Sequence, residues 1–222
     1  MILRIISVQV GQPQDFSDEF GPWKSAIGKR AVAGPVAVGV EGLAGDAQAD
    51  RQNHGGPHKA VLAYALAHYA RWRQELGREL PAGGFGENLT LENAEEATVC
   101  IGDQWRCGRL VLEVSQPRQP CVNPARYWHV PGLDQRMRDT GRTGWYLRML
   151  APGTVAAGVQ AELAARPYPD WTIARVNRVF YRQGEYGDAA AARAAMQALA
   201  ACTRLSPAWR ERFARRAAEP RN

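Results

Sequence analysis

Along the first two-thirds of the chain, hydrophobic residues fall in short runs that alternate with polar positions and are broken by glycine and proline. That is the pattern of a β-rich barrel or sandwich. The runs predict strands at 2–10, 25–29, 36–40, 89–91, 104–107, 109–115, 145–150 and 155–163. Cys107-Gly108-Arg109 and Ala151-Pro152-Gly153 supply turn chemistry that folds neighbouring strands back as hairpins. A helix interrupts the series at 66–76, where His68, Tyr69, Trp72 and Leu76 recur at helical spacing, and a weaker one covers 133–140. After Ala165 the period changes. Asp170 is positioned to cap a helix at 171–182, with Ile173, Val176, Val179 and Phe180 on one stripe. Asp188 is positioned to cap an alanine-rich helix reaching Ala201, and Ser206-Pro207 opens a third, with a hydroxyl at the cap and proline at the first helical position. Three short amphipathic helices bury a common seam by packing on each other. The chain therefore reads as a mainly β domain over 1–165 followed by a three-helix domain over 166–222.

Composition narrows the class. Hydrophobic residues make up 45% of the 222 and charged residues 23%, which excludes a wholly disordered or collagen-like chain. No apolar run reaches the ~18 residues of a membrane span. The apolar start is short, holds Arg4 and lacks a small-residue cleavage site, so it reads as a first strand rather than an export signal. The +6 charge lies wholly beyond Ala165, where 11 arginines face five acids. Such helices are solvated faces or docking surfaces for an acidic protein; no aromatic-basic interleaving supports nucleic-acid binding. Four scattered cysteines form no CxxC pair, iron–sulfur pattern or disulfide framework, which fits a reducing cytoplasm. Any redox chemistry must then use another cofactor.

Three loops carry the candidate chemistry. In His54-Gly55-Gly56-Pro57-His58-Lys59, adjacent glycines can turn backbone amides toward one point while His and Lys add donors, as an anion such as phosphate requires. It is neither a Walker A loop nor a dinucleotide fingerprint. His54 and His58 also stand four apart, a spacing open to metal ligation, although the intervening Gly-Gly-Pro prevents a helix. In Gly83-Gly84-Phe85-Gly86-Glu87-Asn88, Asn88 offers donor and acceptor to a heterocycle such as a pterin, and Glu87 an acceptor; both could equally satisfy backbone groups at a strand entrance. In Ser115-Gln116-Pro117-Arg118-Gln119-Pro120-Cys121, two prolines stiffen a loop that sets a thiol near a guanidinium, favouring the thiolate that binds soft metals. Cys100, Cys107 and Cys202 sit in apolar patterns and read as small buried hydrophobes. Together the loops suggest a pocket for a phosphorylated cofactor that carries a transition metal.

The segments from Gly42 to Asp50, His54-Gly55-Gly56 with Lys59-Ala60-Val61, Phe85 to Leu89, Ser115-Gln116-Pro117-Arg118 with Pro120-Cys121, and Thr140 to Trp145 running on to Gly153 come in the order of a known family. The chain resembles the MOSC domains, more closely their YiiM-like branch. The resemblance implies a β-barrel that carries the molybdenum cofactor, a pyranopterin with molybdenum, plus a C-terminal three-helix domain. It implies that Cys121 ligates the metal and tunes it. Lys24-Ser25 matches the step that reaches the cofactor phosphate in related amidoxime-reducing proteins, Asn88 the asparagine near the pterin, and Arg118 the basic position beside the cysteine; His54, Gly55, Gly56 and Lys59 complete the expected pocket.

The activity implied is reduction of N-hydroxylated compounds such as 6-hydroxylaminopurine to amines. Electrons would come from an external flavoprotein, for which the basic helices, with Arg210, Arg212, Arg215 and Arg216, are a docking surface. Asp46, Asp50, His54 and His58 are the available proton sources. The competing reading is a carrier that holds the cofactor or sulfur without turnover.

Overall fold

The computed structural model describes residues 1–182 and 186–219. Among these the strands are β1 (Ile2–Val10), β2 (Gln14–Asp18), β3 (Gly21–Ser25), β4 (Arg30–Ala31), β5 (Val36–Gly39), β6 (Gly42–Leu43), β7 (Val61–Ala65), β8 (Leu89–Glu92), β9 (Gln104–Cys107), β10 (Leu110–Pro117), β11 (Trp145–Ala151), β12 (Gly153–Val155) and β13 (Gln160–Ala165). The helices are α1 (Arg51–His54), α2 (Ala67–Leu76), α3 (Asn123–Trp128), α4 (Leu133–Thr140), α5 (Ile173–Tyr181), α6 (Ala189–Ala201) and α7 (Pro207–Ala218). Strands β13, β9, β10, β11, β7, β8 and β1 pair in that order, and β13 returns to β1, so seven strands close a barrel. This is the β-barrel that the sequence resemblance implies. The ring is antiparallel except for β7 against β8, and α2 supplies the crossover that a parallel pair needs. Leu3 and Ile5 of β1 meet Leu89, Leu91, Trp105, Leu112 and Leu147 in a buried cluster that fills the barrel.

β1 matches its predicted span because Leu3 and Ile5 face the core with Ile2 and Arg4 exposed beside them, and a bulge after Ile5 brings Val8 back to the core. The sequence pattern misses β7 because all five of its residues are buried, which removes the alternation. The stretch 25–29 is not a strand: Ser25 ends the hairpin β2–β3, and 26–29 form a loop. The predicted strand 155–163 is two, β12 and β13, separated by a turn at 157–158. Nor does Ala151-Pro152-Gly153 make a hairpin, since β12 pairs with β5 and not with β11. Gly153 is needed there because a Cβ would lie 2.6 Å from the Leu110 nitrogen.

The three C-terminal helices form as read, with two corrected caps. Thr172, not Asp170, caps α5 by accepting from the Arg175 amide, and Asp188 caps α6 through the Ala191 amide. Ser206 makes no cap bond; its hydroxyl is buried without a partner, and Pro207 alone sets the start of α7. Phe180 of α5 packs on Trp209 and Phe213 of α7, with ring centroids 4.7 and 5.8 Å away. These side chains are continuous with the barrel core. Backbone bonds tie the two regions: the Ile173 amide donates to Val99 O at 2.8 Å and the Ser206 amide to Ser115 O at 2.9 Å. No helix among the described residues is long and apolar enough to cross a membrane.

Candidate functional site

Beside Leu62 of β7, the entrance to β8 and Tyr146 of β11, where the chain leaves β10, a crevice opens to solvent, its empty space about 610 Å³ with the open mouth included. Hairpin β2–β3 supplies Lys24 and Ser25, α1 supplies His54, the entrance to β8 supplies Asn88, and the loop after β10 supplies Arg118 and Cys121. Lys59 joins them, so seven of the nine residues expected from sequence share one wall. Gly55 and Gly56 do not line it. The Gly55 amide closes α1 by donating to Arg51 O at 3.2 Å, and Gly56, at φ +92°, turns the chain out of that helix. The anticipated nest of amides therefore loses its first donor.

After a register shift past Val114, Gln116 and Pro117 still pair with Tyr146 and Trp145 of β11, and the chain leaves the sheet toward the crevice at Arg118. The Arg118 amide donates to Gly144 O at 3.0 Å, fixing the loop, and Cys121 follows half-buried. Burial alone would raise the Cys121 thiol. A hydrogen bond from the His54 ring, the electrostatic pull of Arg118 and His54, and the Asn123 amide outweigh that and bring it down to about 7. Arg118 itself is 5% exposed, and its Nη1 is buried with no partner. A buried guanidinium donor left unpaired by the protein is what a bound anion would satisfy.

Around it the cations differ in kind. The exposed Lys24 stands 3.7 Å from Asp15. Lys59 is half-buried, donates to Asn53 O, and has its ammonium destabilised by burial and by Arg212. Lys29, which sequence reasoning counted within a strand, lies in the crevice wall with its side chain 7% exposed and paired to Asp46. Asp46 Oδ1 also accepts from the Gly11 amide at 2.8 Å, and its Oδ2 accepts from Asn88 Nδ2 at 2.8 Å. Tyr146 of β11 completes the wall, its phenol pushed up to about 12 by burial. Neither Lys29 nor Tyr146 was marked by the sequence; a lysine four residues beyond Ser25 was the only cue to the first.

Asn88 lines the crevice, yet both its N–H groups are engaged, with Gln9 O and Asp46, and its carbonyl accepts from the Leu62 amide at 3.0 Å. It braces the wall. Glu87 is fully buried and accepts from the Gly83 and Phe85 amides, Thr90 and Tyr69, the backbone-satisfying role that sequence left open. Ser25 accepts from the Ile27 amide at 3.1 Å and from Asn123 Nδ2 at 3.3 Å, linking the hairpin to the cysteine loop. His58 is not beside His54 in the wall: its Nδ1 meets Arg148 at 2.9 Å. Among the described residues, no three His, Cys, Asp or Glu side chains gather as a metal site.

The basic helix α7 is largely engaged inward. Arg210 donates to Ala200 O, Arg212 to Gln119 in the cysteine loop, and Arg216 to Phe180 O, leaving Arg215 exposed.

A family model described as MOSC domain matches residues 50–162. The crystal structure of YiiM from Geobacillus stearothermophilus has a TM-score of 0.80 with this chain at 36% identity, covering 97% of this chain and 100% of that one. Protein YiiM of Escherichia coli (strain K12) is 38% identical over 145 residues, 64% of this chain and 65% of that protein. A Gibberella moniliformis protein named Reductase is 37% identical over 189 residues, 83% of this chain, which spans only 32% of that protein. The chain belongs to the MOSC domain family and is a YiiM-like member of it.

Proposed function

We propose that this chain is a molybdenum-cofactor-dependent reductase that converts N-hydroxylated compounds such as 6-hydroxylaminopurine to amines, with electrons from an external flavoprotein. The observation that carries the reading is the pairing, in one crevice, of a thiol lowered to about 7 with a buried guanidinium whose Nη1 has no partner. A thiolate is a soft ligand suited to a transition metal, and the unpaired donor among lysines suits a phosphate. The residues present fit a phosphorylated metal cofactor on both counts. Lys24, Ser25, Lys59 and Arg118 would hold its phosphate end and Cys121 its metal; bound there, the group supplies oxygen-atom acceptance and two-electron transfer. The chain's own part is to orient. His54 holds the sulfur in its thiolate form, and Asn88 and Ser25 keep the walls in register. Similarity to a fungal protein named Reductase supports the redox reading.

The test is direct. The purified chain, loaded with molybdenum cofactor and given an artificial electron donor, is expected to turn 6-hydroxylaminopurine into adenine. Binding of the cofactor without any turnover would overturn this reading in favour of a carrier.

A further inference from the structure

The reduction proposed above consumes protons as well as electrons: R–NHOH plus two protons and two electrons gives R–NH2 and water. Some group in the crevice must hand a proton to the departing oxygen. Four side chains stand out in the sequence as sources, and the structure engages all of them elsewhere. Asp46 accepts from the Gly11 amide, Asn88 Nδ2 and the Lys29 ammonium. Asp50 caps α1 and is kept below the ordinary carboxylate range by hydrogen bonds from Asn53. His58 faces Arg148. His54 favours the Cys121 thiolate, and its Nδ1 stands 4.0 Å from Asp50 Oδ2.

Lys29 differs from these. Its ammonium sits in the crevice wall, nearly shielded from bulk water, with one of its three N–H donors engaged by Asp46. We propose that Lys29 is the proton donor of this reaction, with Asp46 and Asn88 as positioning residues behind it; the proposal rests on the reductase reading above. As the N–O bond breaks, a Lys29 N–H bond gives its proton to the oxygen parting from nitrogen, which is finally released as water. The electron pair comes from the external flavoprotein, and the second proton reaches nitrogen from solvent. The resulting neutral amine regains its proton from water in the open crevice. While Lys29 is neutral, the Gly11 and Asn88 bonds stabilise the buried charge of Asp46 until Lys29 regains its proton. The charged groups that face the ammonium are Asp46 and Glu87; burial lowers its pKa by more than these two raise it, making it a better acid than an ordinary lysine.

The experiment compares cofactor-loaded wild type with Lys29→Arg and Lys29→Gln. A Lys29→Gln/Asp46→Asn double variant keeps a neutral pair should the single glutamine variant fail to fold. Molybdenum content and melting temperature are measured first, then kcat and KM for 6-hydroxylaminopurine across the alkaline range. Molybdenum content is expected to hold while kcat falls about 100-fold or more at little change in KM, the scale of a lost general acid. Lys29→Arg is expected to be as slow as the glutamine variant, because a guanidinium keeps the charge but does not release its proton. The decline of wild-type kcat at high pH is expected to vanish in every variant. A Lys29→Arg rate near wild type, loss of molybdenum from the variants, or an unchanged alkaline limb would each overturn the assignment. A wild-type chain without turnover would overturn the function proposed above and this inference with it, whereas an active wild type matched by Lys29→Arg would sink the inference alone.

Discussion

Cys121 and Cys100 are the same side chain in two kinds of site. Burial pushes both thiols up. At Cys100, which bridges to Thr172 beside α5, burial and the adjacent Asp103 together take the thiol to about 11 despite Arg166. At Cys121, His54 and Arg118 reverse the sign of the local field, and the thiol falls to about 7. The first is a packing residue whose sulfur donates to Pro169 O at 3.4 Å; the second has a nucleophile's electronics and an open face. Burial alone therefore does not make a thiol inert. The charge that the neighbouring loop brings decides it.

Exchanging the sulfur breaks the comparison hardest. Cys121→Ser is expected to lower turnover of the cofactor-loaded chain at least about 1,000-fold with the melting temperature preserved, because oxygen is a harder, less electron-donating ligand. Cys100→Ala is expected to leave turnover within about twofold and to cost about 1 kcal/mol of stability in a denaturant titration. Next in size is intrinsic reactivity in the cofactor-free chain. At pH 8 Cys121 lies above its pKa and is mainly thiolate, while Cys100 lies well below its own and is protonated. Iodoacetamide labelling followed by peptide mass mapping is expected to differ about 100-fold or more between them, with a Cys121 midpoint near 7. Removing one source of the contrast gives a smaller effect. Arg118→Leu takes away a positive charge that favours the thiolate, so the Cys121 midpoint is expected to rise by about one unit. The smallest expected change lies away from both thiols: Ser206→Ala deletes a buried hydroxyl that has no partner, and chemical denaturation is expected to move by less than about 0.5 kcal/mol, where a working cap would cost ~1.

The contrast between the cysteines was legible in the sequence only in its local part, since the pull of His54 on Cys121 comes from a distant helix. Pro117 and Pro120 fix the loop, and Arg118 stands three residues from Cys121 whatever the rest of the chain does. The barrel was legible for similar reasons wherever a strand has one wet face, as in β1. β7 was not, because burial on both faces erases period two. α3, only six residues long and opened by Asn123-Pro124, leaves too little periodicity to register. Within the crevice, what sequence could not supply was the company each side chain keeps. Asn88 is engaged by a backbone amide 26 positions away and a carboxylate 42 away, and Lys29 meets Asp46 across 17 residues. Those partnerships follow from closure of the barrel, and they separate a residue that braces the wall from one that acts in it.

The claim on which the account stands is that the Cys121 sulfur binds the metal of the cofactor. Molybdenum K-edge X-ray absorption on the cofactor-loaded wild type and on Cys121→Ser measures this most directly. The account predicts one sulfur fewer around molybdenum in the variant, at equal metal content. An identical sulfur count in the two proteins would contradict it.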